Sequence, residues 1–328
     1  MNQMHSNQKI SIVIITYNSE KYIKKCISSI VKYNKDLIDD IVVVDNDSSD
    51  NTLSIIRDNY SFVRILELKN IGYGAALNEG LKICKNEYLI ASNDDIYFIN
   101  DSLKRVFKTF ESDKKIGIIG PKLLNPDLSL QHSITNYPSV IKDFLQIIFP
   151  KFFSIENKFL NKILSIFTKL LPVGRFDSHN DSKNVNSVKG AFMIFTKNVF
   201  NATNGFDSRI QFIGEEQVFS FRAKRNGFKT FYDNTMDVVH IGGQSLGGIT
   251  SEKNIKRYGV KYQSNLLFFK HYKSIVVFYF AYIFYCLAFL IRYTFLLLSK
   301  NNFRSSIFFL LSLMLKNNML YHNFYKEN

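Results

Sequence analysis

Cysteine and acidic residues are scarce in this sequence. The three cysteines, Cys26, Cys84 and Cys286, have no CxxC spacing and no histidine at zinc-site spacing, which argues against a disulfide framework and a cysteine-built metal site. A reducing compartment follows. Asp and Glu number 28 against 42 Lys and Arg, for a formal charge of +14. The excess is uneven: residues 252 to 328 hold eleven Lys or Arg against Glu252 and Glu327, a local charge of +9 that leaves +5 for the rest. Basic charge set beside apolar, aromatic-rich sequence suits an anionic membrane surface. No helix-turn-helix or RNP-like element is present, so nucleic acid is not an expected partner. The start, "MNQMHSNQK", carries no apolar run; no secretory signal is expected, and the soluble part is expected in the cytoplasm. No internal repeat stands out.

At 328 residues with 46% hydrophobic content, the chain can build one large α/β domain and an appendage. Strand-length apolar runs recur at 10–16, 41–45, 62–68, 87–92 and 116–120, and the segments between them repeat apolar residues at helical spacing. This alternation predicts a mostly parallel, doubly wound sheet that binds ligands beyond the carboxyl ends of its strands. After Pro121 the rhythm breaks. Residues 139–171 read as two basic amphipathic helices parted at Pro150, either caps on the core or membrane-facing elements. Strand character returns at 188–196, followed by a helix at 215–226 and a short strand at 237–240. The uncharged run at 275–291, resumed after Arg292 to Leu298, is open to three readings: a spanning helix, a helix lying in the interface, or a buried hairpin.

Five polar clusters fall where such a sheet places its site. "TYN", Thr16 to Asn18, ends the first strand, and "DNDSSDNT", from Asp45 and Asn46 onward, ends the second. An aspartate at a strand end can accept hydrogen bonds from a base or ribose while a neighbouring aromatic stacks on the base; Asp47, Ser48 and Asp50 are instead expected to cap the next helix. In "KNIGYGAALNEG", Gly72 and Gly74 open a helix whose N-terminus can approach an anionic ligand. "SNDD" brings Asn93, Asp94 and Asp95 to the exit of a buried strand, where carboxylates need water, a partner or a hard cation such as Mg²⁺ or Mn²⁺. The fifth cluster holds the adjacent Glu215 and Glu216 and, later, His240 in "HIGGQS". Stabilisation of a helix start by the two glutamates is an equal reading there.

Together and in order, from about residue 10 to 272, these clusters resemble the inverting family 2 glycosyltransferases, and within them the rhamnosyltransferase-like enzymes of bacterial cell-surface polysaccharide assembly. The resemblance implies a GT-A fold over residues 1–250, with a nucleotide-binding half at 1–120 and an acceptor half at 121–250. Residues 251–328 then form a helical, membrane-associated region. It also implies a nucleotide-sugar donor, dTDP-rhamnose or a UDP-hexose, and Mg²⁺ or Mn²⁺. Thr16, Tyr17, Asn18, Asp45 and Asn46 look like the nucleotide contacts. Asn70, Gly72 and Asn78, similar to the family's N-x-G-x-x-x-A-x-N-x-G, fall along the donor cleft. Asn93 and Asp94 occupy the D-x-D position, with Asp95 as the implied metal ligand, and Gly190 and Ala191 resemble the cleft-lining acceptor strand. Glu216 aligns with the catalytic base, Glu215 is its possible substitute, and His240 is similar to the late histidine that holds the metal or diphosphate.

Two departures matter: Glu216 stands where the family usually has Asp, and Val218 replaces an acid further along the same helix. Val218, with Asn93 in place of the first acid of D-x-D, motivates the alternative of a nucleotide-sugar-binding protein without catalysis. The basic and apolar segments, with the resemblance, imply a lipid-linked, polyprenyl diphosphate acceptor at the cytoplasmic face of the membrane, in O-antigen or capsule synthesis.

Overall fold

The computed structural model describes residues 8–148, 179–210, 213–242 and 252–298. The amphipathic helix expected at 151–171 and the chain beyond 298 lie outside the described residues. In chain order the elements are β1 (Ile10–Thr16), α1 (Ile23–Asn34), β2 (Ile38–Asn46), α2 (Thr52–Asn59), β3 (Arg64–Leu68), α3 (Tyr73–Lys82), β4 (Tyr88–Asn93), β5 (Ile96–Tyr97), α4 (Val106–Ser112), β6 (Ile116–Leu124) and β7 (Ile134–Thr135). They continue with α5 (Val140–Ile148), β8 (Lys183–Val185), β9 (Ser187–Val188), β10 (Phe192–Thr196), α6 (Lys197–Thr203), α7 (Glu215–Arg225), β11 (Lys229–His240), α8 (Glu252–Tyr272) and α9 (Ile275–Leu298). The chain divides into two units, one of residues 8–137, 179–210 and 215–242, the other of 138–148, 213–214 and 252–298.

The first unit is built on one sheet in the order β3-β2-β1-β4-β10-β6-β11-β5, with β8 beside β11. Strands β3, β2, β1 and β4 run parallel, as do β6 and β11. Because helices cover both faces, the strands are apolar at successive positions, and alternate side chains go to opposite sides. Ile12, Ile14, Val43, Ile90 and Ile194 pack with Ile23, Cys26, Ile27 and Ile30 of α1. Val13, Val42, Val44, Leu89 and Met193 pack with Ala76, Leu77 and Leu81 of α3.

Two elements differ from the sequence reading in ways that shape the site. The apolar run at 188–196 is split, and only Phe192–Thr196 enters the main sheet, antiparallel to β4 and β6. Reversal brings the start of that strand to the carboxyl edge of β4, where the Asn93 amide donates to Ala191 O at 3.0 Å. The strand expected at 237–240 is the last third of β11. Its end pairs with β5, His240 opposite Ile96, and the Ile241 amide donates to Asp95 O at 2.8 Å.

In the second unit α5 packs with the α8–α9 hairpin around a buried carboxylate. Asp143 accepts hydrogen bonds from Asn265 Nδ2 (2.8 Å) and the Tyr285 hydroxyl (2.6 Å), with Lys261 Nζ at 3.8 Å. Such partners are what make a buried carboxylate tolerable. Helix α9 buries Ala281, Tyr285, Ala288 and Phe289 and exposes Val276, Tyr279, Phe280, Ile283 and Leu287. Among the described residues one face of α9 is therefore left open, and Ile275–Phe295 is long and apolar enough to cross a membrane.

Candidate active site

The residues singled out from the sequence all lie in the first unit, most of them where the parallel strands end. Thr16 and Asp45 are register partners at the ends of β1 and β2. Beyond them the chain turns through left-handed conformations at Asn18 (φ 53°) and Asp47 (φ 79°), residue types that tolerate this region. The two loops are stitched together: the Asn18 amide donates to Ser48 Oγ (2.9 Å), the Ser49 amide to Asn18 Oδ1 (2.8 Å), and the Ser48 amide to Asp45 Oδ2 (3.0 Å). Asp47 and Ser48 therefore do not cap α2. Only Asp50 serves that helix start, accepting from the Thr52 amide at 3.0 Å; Ser48 instead accepts from the Asn18 amide, and Asp47 pairs with Lys69 Nζ at 3.3 Å. Asp45 is 2% exposed with Oδ1 unpartnered, while the Tyr17 ring is 41% exposed. Asn46 joins this loop to the next, donating to Asn70 Oδ1 (3.1 Å) and accepting from the Ile71 amide (3.1 Å). Gly72, with φ 90°, then opens α3. Both ends of the Asn78 amide are taken by the backbone of Phe206, at 2.8 Å each, so it ties α3 to the loop before α7.

The acidic end of the site is reached through Ser19, whose hydroxyl donates to Asp94. Burial pushes the Asp94 carboxyl up, to about 7; the Ser19 bond opposes the rise and the charge on Asp95 adds to it. Asp95 Oδ1 is buried without a hydrogen-bond partner and faces His240 Nε2 at 3.3 Å. Burial would raise this carboxyl too, but His240 and the Gly242 amide outweigh it and hold Asp95 below its ordinary value. Gly242 is required by proximity, since a Cβ there would overlap Asp95 Oδ2. Asn93 Oδ1 accepts from the Tyr73 hydroxyl (2.8 Å), which also reaches Gly190 O (3.2 Å). Gly190 in turn lies against Glu216: a Cβ built on it would stand 3.4 Å from Glu216 Cβ. Burial pushes the Tyr73 hydroxyl far up, and Glu215, Asp94, Glu216 and Asp95 all add to the rise, which places it among the four carboxylates. Lys189 answers them; burial lowers its ammonium while Glu216 and Asp95 pull it back.

Among the described residues no three His, Cys, Asp or Glu side chains form a metal cage. The Asp95–His240 pair, with its orphaned buried oxygen, nevertheless fits a divalent ion that completes its shell from substrate phosphate and water. Residues 11–181 match the Glycosyl transferase family 2 model, more than half of the chain. The chain belongs to glycosyl transferase family 2. Within the family's wider similarity, the chain is 36% identical over 145 residues to the poly(ribitol-phosphate) beta-glucosyltransferase of Bacillus spizizenii, covering 38% of this chain and 23% of that one. It is 23% identical over 291 residues to the chondroitin synthase of Pasteurella multocida, covering 71% and 30%. The N-acetylglucosaminyl-diphospho-decaprenol L-rhamnosyltransferase of Mycobacterium tuberculosis is 20% identical over 250 residues, covering 73% and 78%. The chain thus spans less than a third of the first two relatives. A crystal structure of GalNAc-T7 with UDP, GalNAc and Mn²⁺ superposes with a TM-score of 0.54 at 14% identity, over 81% of this chain and 49% of that one, a likeness of fold. The mostly parallel GT-A sheet expected from the sequence is present.

The two adjacent glutamates occupy different environments. Glu215 is 6% exposed with Oε2 unpartnered, whereas Glu216, on the same turn, is half-buried. Burial, then the charge on Glu216, pushes the Glu215 carboxyl up to about 8. A carboxyl raised from 4.5 in this way favours the folded chain below that pH and loses the contribution as pH climbs to about 8. Glu215→Gln has no such loss. Its thermal unfolding should match the wild type near pH 5 and exceed it in stability by at least ~2 kcal/mol at pH 9; a difference that is constant with pH would contradict the assignment.

Sequence reasoning missed Ser19, Tyr73, Gln131, Lys189 and Gly242. Tyr73, Lys189 and Gly242 lie inside or beside motifs already singled out, "IGYG", "KGAF" and "HIGG". Gln131 had no signal: it sits in a loop 109 residues from His240, which it contacts. Val218, in place of the expected acid, is 1% exposed in the core.

Proposed function

We propose that this chain transfers a sugar from a nucleotide-sugar donor, dTDP-rhamnose or a UDP-hexose, to a lipid-linked oligosaccharide with inversion at the anomeric carbon. The observation that carries the reading is the meeting of Glu216 and the Asp95–His240 pair at one sheet edge, linked by Tyr73, Asn93 and Gly190. Asp45 Oδ1, an unpartnered buried acceptor, awaits a base or ribose donor, and the exposed Tyr17 ring offers a stacking face. Glu216 takes the proton from the acceptor hydroxyl as its oxygen bonds to the anomeric carbon. The bond from that carbon to the diphosphate breaks, and its electron pair leaves with the nucleotide. Asp95 and His240 would hold Mg²⁺ or Mn²⁺, which when bound neutralises charge on the departing diphosphate. Lys189 adds a positive charge that Glu216 and Asp95 sense.

The acceptor assignment draws support from the exposed apolar face of α9, the basic C-terminal region and the decaprenol-linked substrate in the name of the mycobacterial relative. These features also favour the cytoplasmic face of the plasma membrane, and a role in O-antigen or capsule assembly. The site residues and the 1–250 catalytic extent keep the roles given by the family resemblance.

Thermal-shift measurements with dTDP-rhamnose and UDP-hexoses, each with and without Mn²⁺, test the donor. One of them should stabilise the protein, more so with the ion; no shift with any nucleotide sugar overturns the reading. In calorimetry Asp45→Ala should weaken the same nucleotide about 10-fold, the loss of one good hydrogen bond to a charged group. Unchanged affinity would remove Asp45 from the pocket.

A further inference from the structure

The orientation of one amide decides which nitrogen of His240 faces the carboxylate. Gln131 Nε2 donates to His240 O at 3.1 Å and to Asn125 Oδ1 at 2.9 Å. A backbone carbonyl can only accept, so this end of the amide must be the NH2 group. The other end is then Oε1, which lies 2.7 Å from His240 Nδ1 and 3.4 Å from Lys189 Nζ. Lysine can only donate, which agrees with the same orientation. An oxygen 2.7 Å from Nδ1 requires a proton on Nδ1. In the neutral ring Nε2 is left with its lone pair, within reach of the Asn93 amide Nδ2 (3.5 Å) and 3.3 Å from Asp95 Oδ1. Two electron-rich atoms so placed repel unless a cation or a proton lies between them.

We infer that Gln131 is a positioning residue of this site: it holds His240 with Nδ1 protonated and so presents Nε2, with Asp95, to the divalent ion. The inference rests on the metal reading of the Asp95–His240 pair. Gln131 itself touches neither substrate nor ion and acts through the histidine, as carboxylates and carbonyls behind metal-bound histidines do. Lys189, sharing the same oxygen, ties this network to Glu216.

The test uses the full chain labelled with ¹⁵N-histidine, with the His240 signals assigned by their loss in His240→Asn. Long-range ¹⁵N–¹H spectra over pH 6 to 9 should show Nδ1 carrying the proton in the wild type whenever the ring is neutral. Gln131→Leu should move the proton to Nε2, the commoner state in water, and weaken Mn²⁺ binding by calorimetry about 10- to 100-fold. Gln131→Glu still accepts from Nδ1 and should keep the tautomer, although its second oxygen then faces His240 O and Asn125 Oδ1 where the amide NH2 donated. A neutral wild-type ring protonated on Nε2, or an unchanged tautomer in Gln131→Leu, overturns the role of Gln131. If the wild type binds no Mn²⁺ with or without nucleotide, the metal reading of the pair falls, and the inference with it.

Discussion

Glu216→Gln is expected to lower kcat by about 10³-fold while leaving the affinity for the nucleotide sugar within about twofold. Glutamine keeps the shape of the side chain against Gly190 but cannot take a proton from the acceptor. Stopped assays of sugar release with a lipid-linked acceptor, paired with donor-binding calorimetry, measure both halves. Glu215→Gln in the same assays should lose far less, because Glu215 is sealed from the acceptor and its carboxyl is pushed up to about 8 by burial and by Glu216. Burial that holds one of two adjacent carboxyls protonated leaves the more open one as the base. If Glu215→Gln were the inactive variant and Glu216→Gln the active one, the assignment would be reversed.

Asp95→Asn should reduce kcat/KM by about 10²-fold or more and remove the extra thermal stabilisation that Mn²⁺ gives in the presence of nucleotide. The amide is the same size, so it should fit beside His240 and Gly242 and leave the fold intact, checked by circular dichroism. What it removes is the charge. Its carboxylate, held below the ordinary value, is in the charged state that a hard cation needs. An Asp95→Asn enzyme with undiminished turnover and metal response would exclude this residue as a ligand.

Much of this was legible in the residues. The run "ISIVIIT" is β1 to the residue, and "VVVDN" closes β2 where the polar cluster begins. These stretches are readable because strands covered on both faces must be apolar throughout, and their polar ends must then be solvated or in use. The reading failed on an unpatterned loop. Gln131 has ordinary neighbours, yet it makes four polar contacts around His240 and Lys189. Asp47 and Ser48 have the composition of a helix cap but hold Lys69 and Asn18 instead, since local propensity yields to the pairing of two loops.

The sequence by itself determined the alternating α/β rhythm, the carboxylates at the strand exits and the apolar stripe that became α9, because periodicity and burial act over a few residues and leave local marks. Only the tertiary structure decided that β10 runs backwards and delivers Gly190 to Tyr73, and that β11 ends beside β5 with His240 against Asp95. It also decided that Glu215 is buried while Glu216 is not. Strand direction and neighbour order are set by which long-range packing satisfies the most backbone and apolar surface at once, a sum over the whole chain that no single motif records.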